Sequence, residues 1–170
     1  MKFQFYHEKL IDSKDFQKFT KENPTAYACS GFFVLDKEKN ENKFHIDFYL
    51  PKPPKMFSFK LDGKTEILPI ENFSAKIPEK LGMNYTFDLL ESEKLIIEEM
   101  KKQNVKGKIT KLLFSLQKLN GKDYLLVTVF LSNMGLLKIQ LDIAENKITD
   151  FQKKSFLDMI KIVKGNRKKE

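Results

Sequence analysis

The sequence predicts an α+β fold. It reads as two units, each a helix followed by an antiparallel meander of about four strands, with a further helix at the C-terminus. Three observations predict it. Stretches with apolar residues at every second position recur along both halves, as in "FHIDFYLP" (44–51) and "LLKIQLDI" (136–143). Turn chemistry separates them, most strongly Asn120-Gly121. A stretch with helical spacing and start signals precedes each meander, "DSKDFQKFTKENP" (12–24) and "ESEKLIIEEMKKQN" (91–104). The first unit spans residues 1–82 and the second 83–170; one joined sheet and two stacked units are equally compatible with the pattern.

Taken in order, "FQFY" (3–6) alternates and is expected to be a short strand. In the first helix Asp12 or Ser13 supplies the cap, Phe16 and Phe19 share a face, and Pro24 disfavours helical backbone at Asn23. "TAYACSGFFVLD" (25–36) has strand composition, and "KEKNENK" (37–43) is a loop. The next strand puts Phe44, Ile46, Phe48 and Leu50 on one face and His45, Asp47 and Tyr49 on the other. "KPPK" breaks the pattern, and 56–61 and 65–70 form a hairpin around Asp62-Gly63. Pro69, Pro78 and Gly82 mark 71–90 as the connection between halves.

The second helix has Leu95, Ile96 and Met100 as its apolar face, Glu early and Lys late, in accord with the helix dipole. Glu91, Glu93, Glu98 and Glu99 belong to its solvated face. Strands at 108–119 and 122–132 flank Asn120-Gly121, and 136–143 and 148–154 complete the meander. In "SFLDMIKIVK" (155–164), Ser155 is a candidate cap, and Phe156, Met159, Ile160 and Val163 fall on one helical face.

The second half resembles the PepSY family, small cystatin-like modules in which a helix is followed by an antiparallel meander. The matching stretches are "ESEKLIIEEMKKQN" and "LLKIQLDIAENKITDF", and the resemblance covers residues 86–154. It implies a non-catalytic, inhibitory or binding role and transfers no catalytic residue. PepSY modules usually occur outside the cytoplasm or beside peptidases, whereas neither an export signal nor a peptidase is read here.

Composition narrows function. Hydrophobic residues make up 41% of the chain and charged residues 32%, a folded profile whose core must be built from Phe, Leu and Ile. The apolar run "YLLVTVFL" (124–131) is too short to span a bilayer, and the N-terminus lacks the features of a secretory signal. The expectation is a cytoplasmic protein with no membrane span. Residues 101–170 carry 16 basic and 6 acidic side chains, so an acidic partner should meet that half. Lys161, Lys164, Arg167, Lys168 and Lys169 are the candidate anion-contacting residues. Arg167 is the one arginine in the chain, which counts against base-specific nucleic-acid reading.

Catalytic constellations are sparse. The single cysteine, Cys29, excludes an internal disulfide; on strict alternation it shares a face with Tyr27, Phe33 and Leu35, which raises a thiol pKa rather than activating it. The two histidines, His7 and His45, give too few ligands for zinc, and His45 with Asp47 reads as a surface pair. No phosphate-binding glycine loop, calcium loop or nucleophile elbow occurs. The expectation is a non-enzymatic protein-interaction, inhibitory or regulatory module with no cofactor or metal and an unidentified protein partner. A carrier of a small apolar ligand and a weak, sequence-independent binder of nucleic acid or anionic surfaces are the alternatives.

Overall fold

In the computed structural model, which describes residues 1–71 and 76–155, the two meanders meet. Eight antiparallel strands form one sheet in the order β4-β3-β2-β1-β5-β6-β7-β8. The strands are β1 (Tyr27–Asp36), β2 (Lys43–Pro51), β3 (Pro54–Lys60), β4 (Glu66–Ile70), β5 (Ile109–Leu119), β6 (Lys122–Leu131), β7 (Gly135–Asp142) and β8 (Lys147–Ser155). Three helices accompany them: α1 (Phe3–Ile11), α2 (Lys14–Glu22) and α3 (Leu89–Lys102). The fold is therefore α+β with a large antiparallel sheet. The expected helix over 155–164 lies outside the described residues except for Ser155, which ends β8.

The halves join where β1 pairs with β5, residues 30–36 running against 111–117. Phe33 faces Phe114 and Leu35 faces Leu112, all four almost fully buried. At the end of this pairing Lys111 Nζ lies 2.8 Å from Asp36 Oδ2. Both strands begin their meanders, so the two halves extend away from a common centre and leave β4 and β8 as the edges.

The stretch 3–6 is helical, not a strand. Over four residues "FQFY" alternates, but the pattern that folds is Phe3, Tyr6 and Leu10, which lie on one helical face. Phe3 and Leu10 are buried, whereas Phe5, expected to share a face with Phe3, is 62% exposed. Tyr6 stacks on Phe44 with ring centroids 3.8 Å apart, and Phe3 meets Phe33 and Tyr85 edge-on. In α2 the Ser13 hydroxyl accepts the Phe16 amide proton at 3.2 Å, capping the helix. Phe16 and Phe19 then pack on Phe48 and Phe59 at centroid distances of 5.2–6.0 Å, in tilted and edge-to-face contacts that aromatic quadrupoles favour. Asp88 caps α3 through Leu90 N, and Ile96 and Met100 enter the same core, with Leu95 partly buried against it.

All three helices contribute to one core with Phe33, Phe44, Ile46, Phe59, Phe114, Val127 and Ile139, which share a face of the sheet by register. No helix among the described residues lies on the opposite face. Residues 76–88 fasten the halves together. Leu81 N donates to Ala28 O, Tyr27 Oη donates to Pro78 O, and the Glu79 carboxylate accepts both turn amides of the β5–β6 hairpin, Asn120 N at 2.9 Å and Gly121 N at 3.1 Å.

That hairpin turns through Asn120 at φ 52° and Gly121 at φ 78°, the paired positive angles that a two-residue turn matched to strand twist requires. A Cβ on Gly121 would meet nothing within 4 Å, so the cost of a side chain there is backbone strain alone. Gly121→Val should lower the free energy of unfolding by about 1 kcal/mol or more, measured by chemical denaturation. Unchanged stability would contradict the turn assignment.

Candidate interaction face

The sheet face opposite the helices is built by alternation, and one irregularity decides its chemistry. Between Ala28 and Ser30 the β1–β2 register shifts: Ala28 pairs with Phe48 and Ser30 with Asp47, leaving Cys29 as an extra residue. Beyond the bulge Gly31, Phe33 and Leu35 face the helices, while Ser30, Phe32 and Val34 face away. Cys29 keeps company with Tyr27 but not with Phe33 and Leu35. Strict alternation failed here because a bulge adds a residue without adding a partner.

The bulge assembles a polar chain. Ser30 Oγ donates to Asp47 Oδ2 at 2.7 Å, and the Cys29 thiol donates to the Asp47 carbonyl at 3.5 Å. On β3, Ser58 lies opposite Asp47 and hydrogen-bonds its side chain. His45 Nδ1 sits 3.1 Å from Ser58 Oγ, and His45 Nε2 is 3.9 Å from Asp62 Oδ1. With Asp47 ionised, Ser58 gives its one proton to Asp47, so His45 must carry its own proton on Nδ1. His45 is thus partnered across the strands by Ser58 and Asp62 rather than by Asp47 as a surface pair.

Burial pushes the Asp47 carboxyl above its ordinary range, against the two serine hydroxyls, which favour the charged form. Burial and the nearby Asp47 push the Cys29 thiol up to about 12. A thiol so placed is almost wholly protonated near neutral pH and is a poor nucleophile.

Beside the polar chain the face turns apolar. Phe32, 39% exposed, pairs with His45 on one side and Ser115 on the other. Phe32, Val34, Leu113 and Phe130 floor an open cleft of about 610 Å³, with exposed Glu38, Lys39, Glu41 and Lys43 on its rim. Asp36, at the base, is held near 2 by the Lys111 ammonium and by backbone amides of Lys39 and Glu38. The strands beneath are apolar on both faces: Leu112, Phe114, Val127 and Val129 point to the helices, and Leu113, Leu126 and Phe130 point away. The continuous run "YLLVTVFL" was the sequence signal for this, although such a run is equally that of any buried strand.

Among the described residues, no group of three His, Cys, Asp or Glu side chains is placed to hold a metal ion, and no helix is long and apolar enough to cross a membrane. The candidate anion-contacting residues Lys161, Lys164, Arg167, Lys168 and Lys169 lie outside the described residues. Of the glutamates expected on the solvated face of α3, Glu93 instead pairs with Lys37 Nζ at 2.7 Å, its side chain 14% exposed.

The Asp47 shift has a sign that can be tested. A carboxyl raised in the folded state binds its proton more tightly folded than unfolded. Its contribution to stability is therefore full below the ordinary value of 3.8 and is lost as pH rises through the folded value. Asp36, shifted the other way, contributes above its unfolded value and loses that contribution as pH falls toward about 2. Asp47→Asn should thus gain stability relative to the parent as pH rises from the ordinary carboxyl value of 3.8 through the raised folded value, while the Asp36 contribution is common to both proteins and cancels. Parallel stability curves for the two proteins would contradict the assigned burial.

No family model matches the sequence, and no curated protein matches it. A crystal structure of a putative lipoprotein from Clostridium difficile 630 is similar to the chain. It has a TM-score of 0.51 and 11% identity over 82% of this chain and 90% of that one. At that identity the likeness concerns the fold.

Proposed function

We propose that the protein is a non-catalytic binding module that docks a protein partner on the open face of its sheet. In this reading each half is a cystatin-like unit, as the PepSY resemblance of the second half implies. The observation that carries it is the cleft over β1, β5 and β6, where Phe32, Leu113 and Phe130 lie on a sheet face that no described helix covers. Aromatic and aliphatic anchors beside satisfied polar groups are the composition of protein-binding surfaces. The cleft is open to solvent rather than enclosed, which suits a protein surface better than a carried small molecule. The protonated thiol of Cys29 supports a non-catalytic reading.

The test is site-specific photo-crosslinking in the native host. A photoreactive residue at position 32 should capture a discrete protein, and one at exposed position 5, on a helix, should not. Binding of that protein, once purified, should weaken at least about tenfold with Phe130→Asp. Capture through position 5 with indifference to Phe130→Asp would refute the assignment of the face.

A further inference from the structure

Where α3 ends and the chain turns into β5, a second groove of about 530 Å³ opens beside the helix. Ile97, Met100, Val105 and Ile109 are its apolar lining. Met100 belongs to the core, and Val105 and Ile109 pack against it, but Ile97 is 37% exposed. Leu90, seven residues earlier on the same line of the helix, is 40% exposed. The wall is held in place by the connection itself. Val105 N donates to Met100 O at 2.9 Å, and Asn133 Nδ2 donates to Lys106 O at 3.0 Å. Ser132 N donates to Lys108 O at 2.9 Å, and Lys108 N donates back to Ser132 Oγ at 3.0 Å. A wall ordered in advance loses little freedom when something binds to it.

The charged side chains that line the groove are Lys37, Glu93, Lys101 and Lys108. Lys37 and Glu93 lie 2.7 Å apart and neutralise each other. The surroundings add positive charge: from Met100 to Lys111 the chain carries five lysines and no carboxylate. Lys102 lies 3.5 Å from Glu99, and Lys111 is bound to Asp36. Lys101, Lys106 and Lys108 are left without a carboxylate partner among the described residues. Lys101 suits the negative end of the helix dipole, but Lys106 and Lys108 come after the helix has ended. On α3, Lys94 pairs with Glu91, and exposed Glu98 lies about 100° round the helix from Ile97.

We infer that this groove docks a segment of another protein that inserts an apolar side chain flanked by aspartate or glutamate. The apolar lining gains from covering that side chain, and Lys101 and Lys108 select the carboxylates beside it. The groove is open to solvent, as a peptide site is, rather than enclosed about a small molecule. Its lining has neither the aromatic side chains that stack bases nor an arginine, which disfavours nucleic acid. A second copy is disfavoured by the net charge of +8. No residue of this groove lines the cleft over β1, β5 and β6, so the inference stands apart from the docking proposed there.

Peptide selection on the full-length chain tests this. Dodecapeptides are selected from a random phage-displayed library, and the strongest binder is synthesised with a fluorescein label and measured by anisotropy. It should carry an apolar residue flanked by Asp or Glu. Its affinity should fall at least about tenfold when Lys101→Glu and Lys108→Glu are combined, and should also fall with Ile97→Gln. Lys122→Glu combined with Lys147→Glu changes the net charge equally and should leave binding intact, as should Phe130→Asp in the cleft. All four lysines are exposed, so these variants are expected to fold, which far-UV circular dichroism checks. A selected peptide without carboxylates, equal losses in the two lysine pairs, or indifference to Lys101 and Lys108 would overturn the inference. Phosphatidylserine vesicles and an oligothymidylate are assayed alongside. If their binding, and not that of the peptide, depends on Lys101 and Lys108, the groove belongs to a lipid surface or a nucleic acid and the inference is rejected.

Discussion

The pairing of β1 with β5 is the constraint on which the rest of the structure depends. Each meander alone would present an unpaired edge at its first strand and half a core, with Phe33 and Phe114 on separate surfaces. Joined antiparallel, the two strands satisfy each other's backbone groups and place Phe33 against Phe114 beneath the helices. The sheet edges then fall at β4 and β8. Pro69 in β4 removes an amide donor from that edge, and Lys147, Lys153 and Lys154 charge the other, both recognised ways of discouraging edge-to-edge association.

A sheet of eight strands with its helices on one side has a second face to account for, and the residues there fall into two kinds. Over β1, β2 and β3 the outward residues Ser30, Asp47, Ser58 and His45 form one linked polar group. Over β1, β5 and β6 the outward residues Phe32, Val34, Leu113 and Phe130 floor the cleft beside Asp36, Thr110 and Lys111. The first region meets its hydrogen-bonding needs internally, which lowers the cost of covering it; the second gains from being covered. Side by side, they are the basis of the proposed docking of another polypeptide.

Much of the fold was legible in the sequence because the signals were local. Ser13 before Phe16, Asn120-Gly121 between two apolar runs, and the alternation from Leu137 to Ile143 each have their cause within a few neighbouring residues. Where the cause lay elsewhere in the chain, reading failed. The pattern in α1 needs Leu10 to distinguish it from a strand, and its burial comes from Phe44, Tyr85 and Phe87. The bulge at Cys29 exists only relative to β2, so no count along β1 could place Ser30 beside Asp47. The cleft likewise depends on which residues of β1, β5 and β6 come into one row, a property of register between strands nearly 80 residues apart in sequence.

Native-state hydrogen exchange over a series of denaturant concentrations tests the central claim most directly. If the β1–β5 pairing unites the halves, the amides of Phe33 and Val34 in β1 and of Leu113 and Phe114 in β5 exchange with one common free energy. That energy equals the global free energy of unfolding, and both meanders lose protection together. Persistent protection of β5 to β8 under conditions where β1 to β4 exchange freely would contradict the account, because each half would then hold its structure without the other.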